Sequence, residues 1–152
     1  MLKILFPHKS TSIPYSLLIL ALRLLFGILF LKHGIDKWSN FELLQNSFPD
    51  PLGITSRSSL VLAIFGELIC SAGFILGFLY RLAIIPMITT MVIAFFVVHQ
   101  ADPFATRELA FIYLIVFVIL LIAGPGKYSI DYLIGNSINK RNNRGRLRSP
   151  RH

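Results

Sequence analysis

The sequence predicts an all-α protein, an antiparallel four-helix transmembrane bundle with both termini in the cytoplasm, and three observations predict it. Hydrophobic residues are 55% of the 152 and charged residues only 14%, against roughly half and a quarter in a soluble domain. The mean hydropathy is +0.69, and the apolar excess is gathered into blocks instead of being spread with a period of two or 3.6. Lys and Arg are divided unevenly between the segments joining those blocks. Soluble enzyme folds and disorder are thereby excluded. The single cysteine, Cys70, excludes an internal disulfide, a CxxC redox pair and a cysteine-based zinc or iron–sulfur site built by this chain alone.

A hydrocarbon core about 30 Å thick takes roughly 20 helical residues. Four runs come close: Ile13 to Leu31, Leu60 to Leu79, Leu82 to Val98 and Thr106 to Gly124. With their flanks they give spans at about 13–33, 58–80, 82–99 and 106–124. The first run is too long for a signal-peptide core and lacks a small-residue cleavage site, so it reads as retained. The last two reach full length only with His99 and Glu108 inside the boundary, which requires both to face other helices instead of lipid. Lys3, Lys9, Arg81, Lys127 and the tail residues Lys140, Arg141, Arg144, Arg146, Arg148 and Arg151 fall on one side, with Lys32, Lys37, Arg57 and Arg107 on the other. Positive charge stays inside, so the first group and both termini are expected in the cytoplasm. The same division accounts for the net charge of +8. Residues 140–152 form a basic tail outside the membrane domain of 1–139. It reads as a solvated segment touching anionic lipid, because no nucleic-acid motif or aromatic interleaving accompanies it.

The connections are unequal. Tyr80 and Arg81 alone join the second and third runs, which makes those helices antiparallel neighbours. The connection from Lys32 to Ser59 is longer and carries Trp38, Phe41, Leu43, Leu44 and Phe48 before a stiff Phe48-Pro49-Asp50-Pro51-Leu52-Gly53 segment. It belongs at the lipid–water boundary, either as a cap over the outer mouth of the bundle or as a plain interfacial linker. Gly124-Pro125-Gly126 ends the last span. Ser129 then caps an interfacial helix over about 129–138, with Asp131 in its first turn and Ile130, Leu133, Ile134 and Ile138 at helical spacing. Asp131 is expected to pair with Arg81.

Charges inside the spans are the first candidates for function. At 1.5 Å per residue Arg23 and Glu67 sit about 15 and 18 Å from the cytoplasmic edge, near the midplane. An isolated charge there costs about 3 kcal/mol on insertion scales, so an Arg23–Glu67 ion pair is expected. It is either a clamp fixing which helices meet or a site where Glu67 polarises a ligand or moves a proton. Ala63, Gly66, Cys70, Gly73 and Gly77 form a stripe of small residues for close helix contact. On the first helix Arg23, Gly27, Phe30, Gly34 and Lys37 recur at intervals of 4, 3, 4 and 3 and share the face that lines the bundle. His33, His99 and Glu108, from three helices, lie about 30, 26 and 24 Å up. This layer is either a hydrated rim or a pocket for a small molecule or quinone headgroup, with the histidines as hydrogen-bonding or proton-transferring groups. Haem or a metal between the two histidines is disfavoured, since no further ligand pattern accompanies them.

The order of these pieces resembles the DoxX family of small four-helix bacterial membrane proteins. The resemblance runs through Leu22-Arg23-Leu24 to Gly27, Phe30-Leu31-Lys32-His33-Gly34 with Lys37, and Glu67 ahead of Gly73 and Gly77-Phe78-Leu79-Tyr80-Arg81. It continues with Met91, Ala94, His99 and Glu108, and ends at Gly124-Pro125-Gly126-Lys127-Tyr128-Ser129-Ile130-Asp131. It implies a bundle in the bacterial plasma membrane associated with quinone- or thiol-linked redox chemistry. A subunit or accessory factor with a redox protein partner is expected, because ordinary side chains provide no redox centre, and the lipid-facing surface of four helices suits a homo-oligomer or a heteromeric complex. Arg23, His33, Lys37, Glu67, His99 and Glu108 are the expected ligand-binding residues. No flavin fingerprint or metal motif is present, so electron transfer would need a bound quinone, a haem or a neighbouring subunit. The alternative is a non-enzymatic carrier or membrane-protein assembly factor in which the buried charges are only structural.

Overall fold

The computed structural model of the chain describes residues 12–148, with side chains through Lys140. Four helices are long and apolar enough to cross a membrane: α1 (Ile13–Ser39), α3 (Ser56–Leu76), α4 (Tyr80–Val98) and α5 (Phe104–Ala123). A one-turn α2 (Phe41–Leu44) lies in the α1–α3 connection, and α6 (Ile130–Arg148) follows α5. The described part of α6 runs ten residues past the expected end at 138. Lys3, Lys9 and Arg151 of the charge balance, and the side chains of Arg141, Arg144, Arg146 and Arg148, lie outside the described residues. The bundle is antiparallel, with one end formed by the α3–α4 turn and the α5–α6 connection, and the other by the 40–55 loop and the α4–α5 connection.

Glycines on α1 set the helix register. A Cβ on Gly34 would stand 2.7 Å from the Leu68 backbone nitrogen, and one on Gly27 2.5 Å from Ile75 Cγ1, so α1 lies backbone-close along α3. Gly66 gives α3 the same closeness to α4, its Cβ position being 2.6 Å from Thr90 Oγ1. Around these contacts Phe30, Phe74, Tyr80 and Phe117 are fully buried. Their rings meet edge-on or stacked, Phe30 and Phe117 at 5.0 Å and Phe74 and Tyr80 at 5.3 Å between centroids. The outward faces keep Leu25, Ile28, Ile69, Leu82, Ile119 and Ile122 exposed, as a surface solvated by acyl chains should.

The turn end is closed by two buried charged side chains, neither paired as the sequence predicts. Arg23 does not meet Glu67. Its Nε donates to Phe74 O (3.1 Å), Nη1 to Pro125 O (2.7 Å) and Tyr128 O (2.9 Å), and Nη2 to Ile75 O (2.6 Å). These carbonyls lie at the end of α3 and the break after α5, where the helical ladder stops; that of Phe74 also accepts from the Gly77 amide at 3.1 Å. The depth estimate failed because it set Ile13 level with Leu79. The Gly27 and Gly34 contacts instead place the α3–α4 turn beside Arg23, ten residues along α1, and the first turns of α1 run on past that turn beside the α5–α6 connection, where Tyr15 Oη donates to Ala123 O at 3.3 Å.

Asp131 does not pair with Arg81. Its carboxylate accepts from the Leu79 and Tyr80 amides at 2.9 and 2.8 Å and caps α4. Leu79 is in the left-handed region at φ 47°, which aims those amides at the carboxylate. Arg81 Nε has no hydrogen-bond partner among the described residues. Ser129 caps α6 as expected, accepting from the Tyr132 amide at 3.2 Å.

Candidate functional site

Packing between α3 and α4 is concentrated between Phe65 and Leu76, and the two helices diverge toward the loop end. A cavity of about 650 Å³ occupies the space they leave, within the roughly 300–1,000 Å³ of small-molecule sites. Most of its wall is apolar. His33, Lys37, Glu67 and His99 line it, together with Ser59, Thr89, Thr90, Thr106 and Tyr113, while Phe48, Pro49, Pro51 and Leu52 of the long loop lie across its loop-end side. The loop therefore borders the cavity at its loop end. Asp50 holds it, accepting from the Ile54 amide (3.0 Å), the Thr55 amide (2.8 Å) and the Ser59 hydroxyl (2.8 Å). These bonds, that from Ser59 foremost, hold the Asp50 carboxyl below its ordinary pKa.

Glu67 is buried and its partner is Lys37, whose Nζ donates to Oε2 at 2.6 Å. The pair forms because Gly34 brings α1 against the Glu67–Leu68 backbone, and Lys37 on the next turn reaches over. Glu67 sits inside a π-helical segment, Phe65–Ile69, a widened turn common where a helix carries function. A second one, Ala94–Val98, precedes His99, whose amide donates to Ala94 O at 3.0 Å. His99 Nδ1 lies 2.7 Å from Asp102 Oδ2, which orients the ring and leaves Nε2 for a ligand. His33 lies edge-on to Tyr113 with centroids 6.1 Å apart.

Of the six expected ligand-binding residues, His33, Lys37, Glu67 and His99 share one cavity. Arg23 is held by carbonyls at the turn end. Glu108 is exposed on α5 and does not line the cavity. The inward face of α5 is Thr106, Ala110, Tyr113 and Phe117, and Glu108 stands about 200° around the helix from Thr106. The expected pairs missed Asp102, although its i, i+3 spacing from His99 was readable. They also missed Tyr113, whose face recurs at 4, 3 and 4. Among the described residues no cluster of three or more His, Cys, Asp or Glu has the geometry to hold a metal ion.

Fold and site define a multi-pass helical membrane protein with a polar cluster in an apolar cavity between its spans. The chain belongs to the DoxX family, whose family model matches residues 18–100. That match includes Arg23, His33, Lys37, Glu67 and His99 but stops short of Asp102, Glu108 and Tyr113. The chain is also 28% identical over 134 residues to a Haemophilus influenzae protein described as uncharacterized, a likeness covering 83% of this chain and 89% of that one. No solved structure matches the chain.

Proposed function

We propose that this protein is a membrane subunit or accessory factor of a quinone- or thiol-linked redox system and that the cavity between α3 and α4 holds its small ligand, a quinone. The observation that carries this reading is the Lys37–Glu67 pair at 2.6 Å inside a cavity that His33 and His99 also line. A quinone ring needs apolar walls for its faces and donors for its carbonyl oxygens, and Lys37, the imidazoles and Tyr113 are of the right kind. Arg23 and Asp131 are structural in this reading. Glu108 takes no part in the cavity and remains a rim residue. Ordinary side chains carry no electrons, so in this reading a redox protein partner supplies two electrons that, with two protons, reduce the bound quinone to quinol. The chain sits in a bacterial cell membrane with both termini cytoplasmic, which places the loop end of the cavity on the outer side.

The test is purification in mild detergent followed by mass and optical spectra of the co-eluting small molecules. Quinone bound to the wild type and lost in Glu67→Gln and His99→Ala supports the reading. No quinone in the wild type, with both variants fully complementing a redox-stress deletion, removes it. A second reading has its own observation: Gly34 lies 2.7–3.0 Å, measured from its Cβ position, from the backbone that carries Glu67, so the Lys37–Glu67 pair also pins two helices together. In a carrier or assembly factor that would be its only role, and Glu67→Gln would lower the melting temperature without changing any bound molecule.

A further inference from the structure

We propose that the cavity is filled sideways from the bilayer, through a portal between α3 and α4, and that its ligand is a neutral single-chain amphiphile whose headgroup rests by Lys37 and Glu67 while its hydrocarbon chain leaves through the portal. This rests on the ligand-binding reading above and adds the route and the chemical class. The cavity wall includes residues that are also exposed on the outer surface of the bundle: Leu62, Phe65 and Ile85, at 51, 47 and 51% exposure, and Thr89. Leu62 and Phe65 lie about 9 and 13 Å along α3 from its loop-end start, and Thr89 and Ile85 about 14 and 20 Å along α4 from its end. The opening therefore faces hydrocarbon, not water. Gly66 against Pro86 and Thr90 forms its sill, where the two helices first touch.

The portal is chemically suited to a chain. Thr89 and Thr90 donate their hydroxyls to Ile85 O (3.0 Å) and Pro86 O (2.9 Å) of their own helix, so those donors are already engaged and demand no polar partner from a chain. Phe48, Pro49, Pro51 and Leu52 border the loop side of the cavity, and Leu62, Phe65 and Ile85 give its bilayer side an apolar rim for a hydrocarbon chain. The headgroup is neutral because Lys37 and Glu67 cancel each other's charge and His99 already faces Asp102. A phosphate would find no unopposed cation there.

Two measurements on the full chain in lipid nanodiscs test this. In a Cys70→Ala background, spin labels at Ala63→Cys, on the cavity wall, and at Ile85→Cys, on the portal rim, should collide mainly with oxygen dissolved in lipid. Labels that collide mainly with a water-soluble nickel chelate overturn the portal, whatever the ligand is. In binding assays, Thr89→Trp should weaken a polyprenyl benzoquinone about tenfold and its tail-less counterpart less than about twofold. Equal loss for both, or loss for neither, overturns the route. Competition by phosphatidylglycerol as strong as by the quinone overturns the neutral headgroup. If the wild type binds neither quinone, the quinone assignment of the preceding subsection falls, while the collision measurement still decides the portal and stands even where Thr89→Trp does not fold.

Discussion

Arg23 illustrates how a buried charge is tolerated without a direct ion pair. Its guanidinium fans donors in one plane, and the chain supplies four carbonyls in matching directions, from Phe74, Ile75, Pro125 and Tyr128. Arg23→Ala takes a donor from all four and strands those of Ile75, Pro125 and Tyr128, each at about 1–3 kcal/mol, so thermal melting in detergent should show a loss on the order of 3–5 kcal/mol. Arg23→Lys should recover only part of it, because an ammonium cannot reproduce the fork. Gly77 is bound to the same cluster. At φ +67° its Cβ position is 2.6 Å from Arg23 Nη2 and 2.5 Å from Ser129 Cβ, so Gly77→Ala should destabilise by at least about 1–2 kcal/mol in the same melting assay. The sequence announced that Arg23 needs company but not which company. Backbone acceptors leave no signature in residue type, and the nearest carboxylate in depth, Glu67, therefore looked like the partner. The four polar residues of the cavity were legible because Glu67 interrupts an apolar run and His33, Lys37 and His99 mark where the runs of α1 and α4 end.

At the scale of elements, small residues decide the register that places every polar group. The alternation of Arg23, Gly27, Phe30, Gly34 and Lys37 correctly marked the inward face of α1, of which Arg23, Gly27, Phe30 and Gly34 are buried. What periodicity could not carry was the two π-helical segments, since each inserts a residue and turns the following side chains by about 100°. Gly34→Val should push α1 off the backbone beside Glu67 and separate Lys37 from its partner. Loss of the close Lys37–Glu67 contact, read from an engineered crosslink between those positions, would then accompany a lower melting temperature. The loop obeys acid. Because the folded Asp50 pKa is depressed, its contribution is fully present above the unfolded value of about 3.9 and fades as pH falls below that through the lower folded value. Hydrogen-exchange protection of the Ile54 and Thr55 amides should therefore drop at acid pH in the wild type and be low at all pH values in Asp50→Ala.

Viewed whole, the molecule has two ends with different tasks. The turn end is tied together by the hydrogen bonds of Arg23 and Asp131, and the loop end is open enough to leave a cavity of about 650 Å³. Block hydropathy alone was sufficient for the four-helix architecture, because bilayer thickness restricts what such blocks can become. The sidedness is an expectation of the charge balance, and accessibility of cysteines placed at Leu52 and Lys127 to an impermeant thiol reagent in intact cells checks it: Leu52→Cys should react and Lys127→Cys should not. The central claim is that the paired charges of α1 and α3 head a ligand cavity and do more than fasten helices. Native mass spectrometry of the chain released from nanodiscs tests it most directly. One small-molecule adduct per wild-type chain, reduced about tenfold in Glu67→Gln and in Lys37→Met, is the expected result. A bare wild-type chain, or an adduct indifferent to both substitutions, would contradict the account.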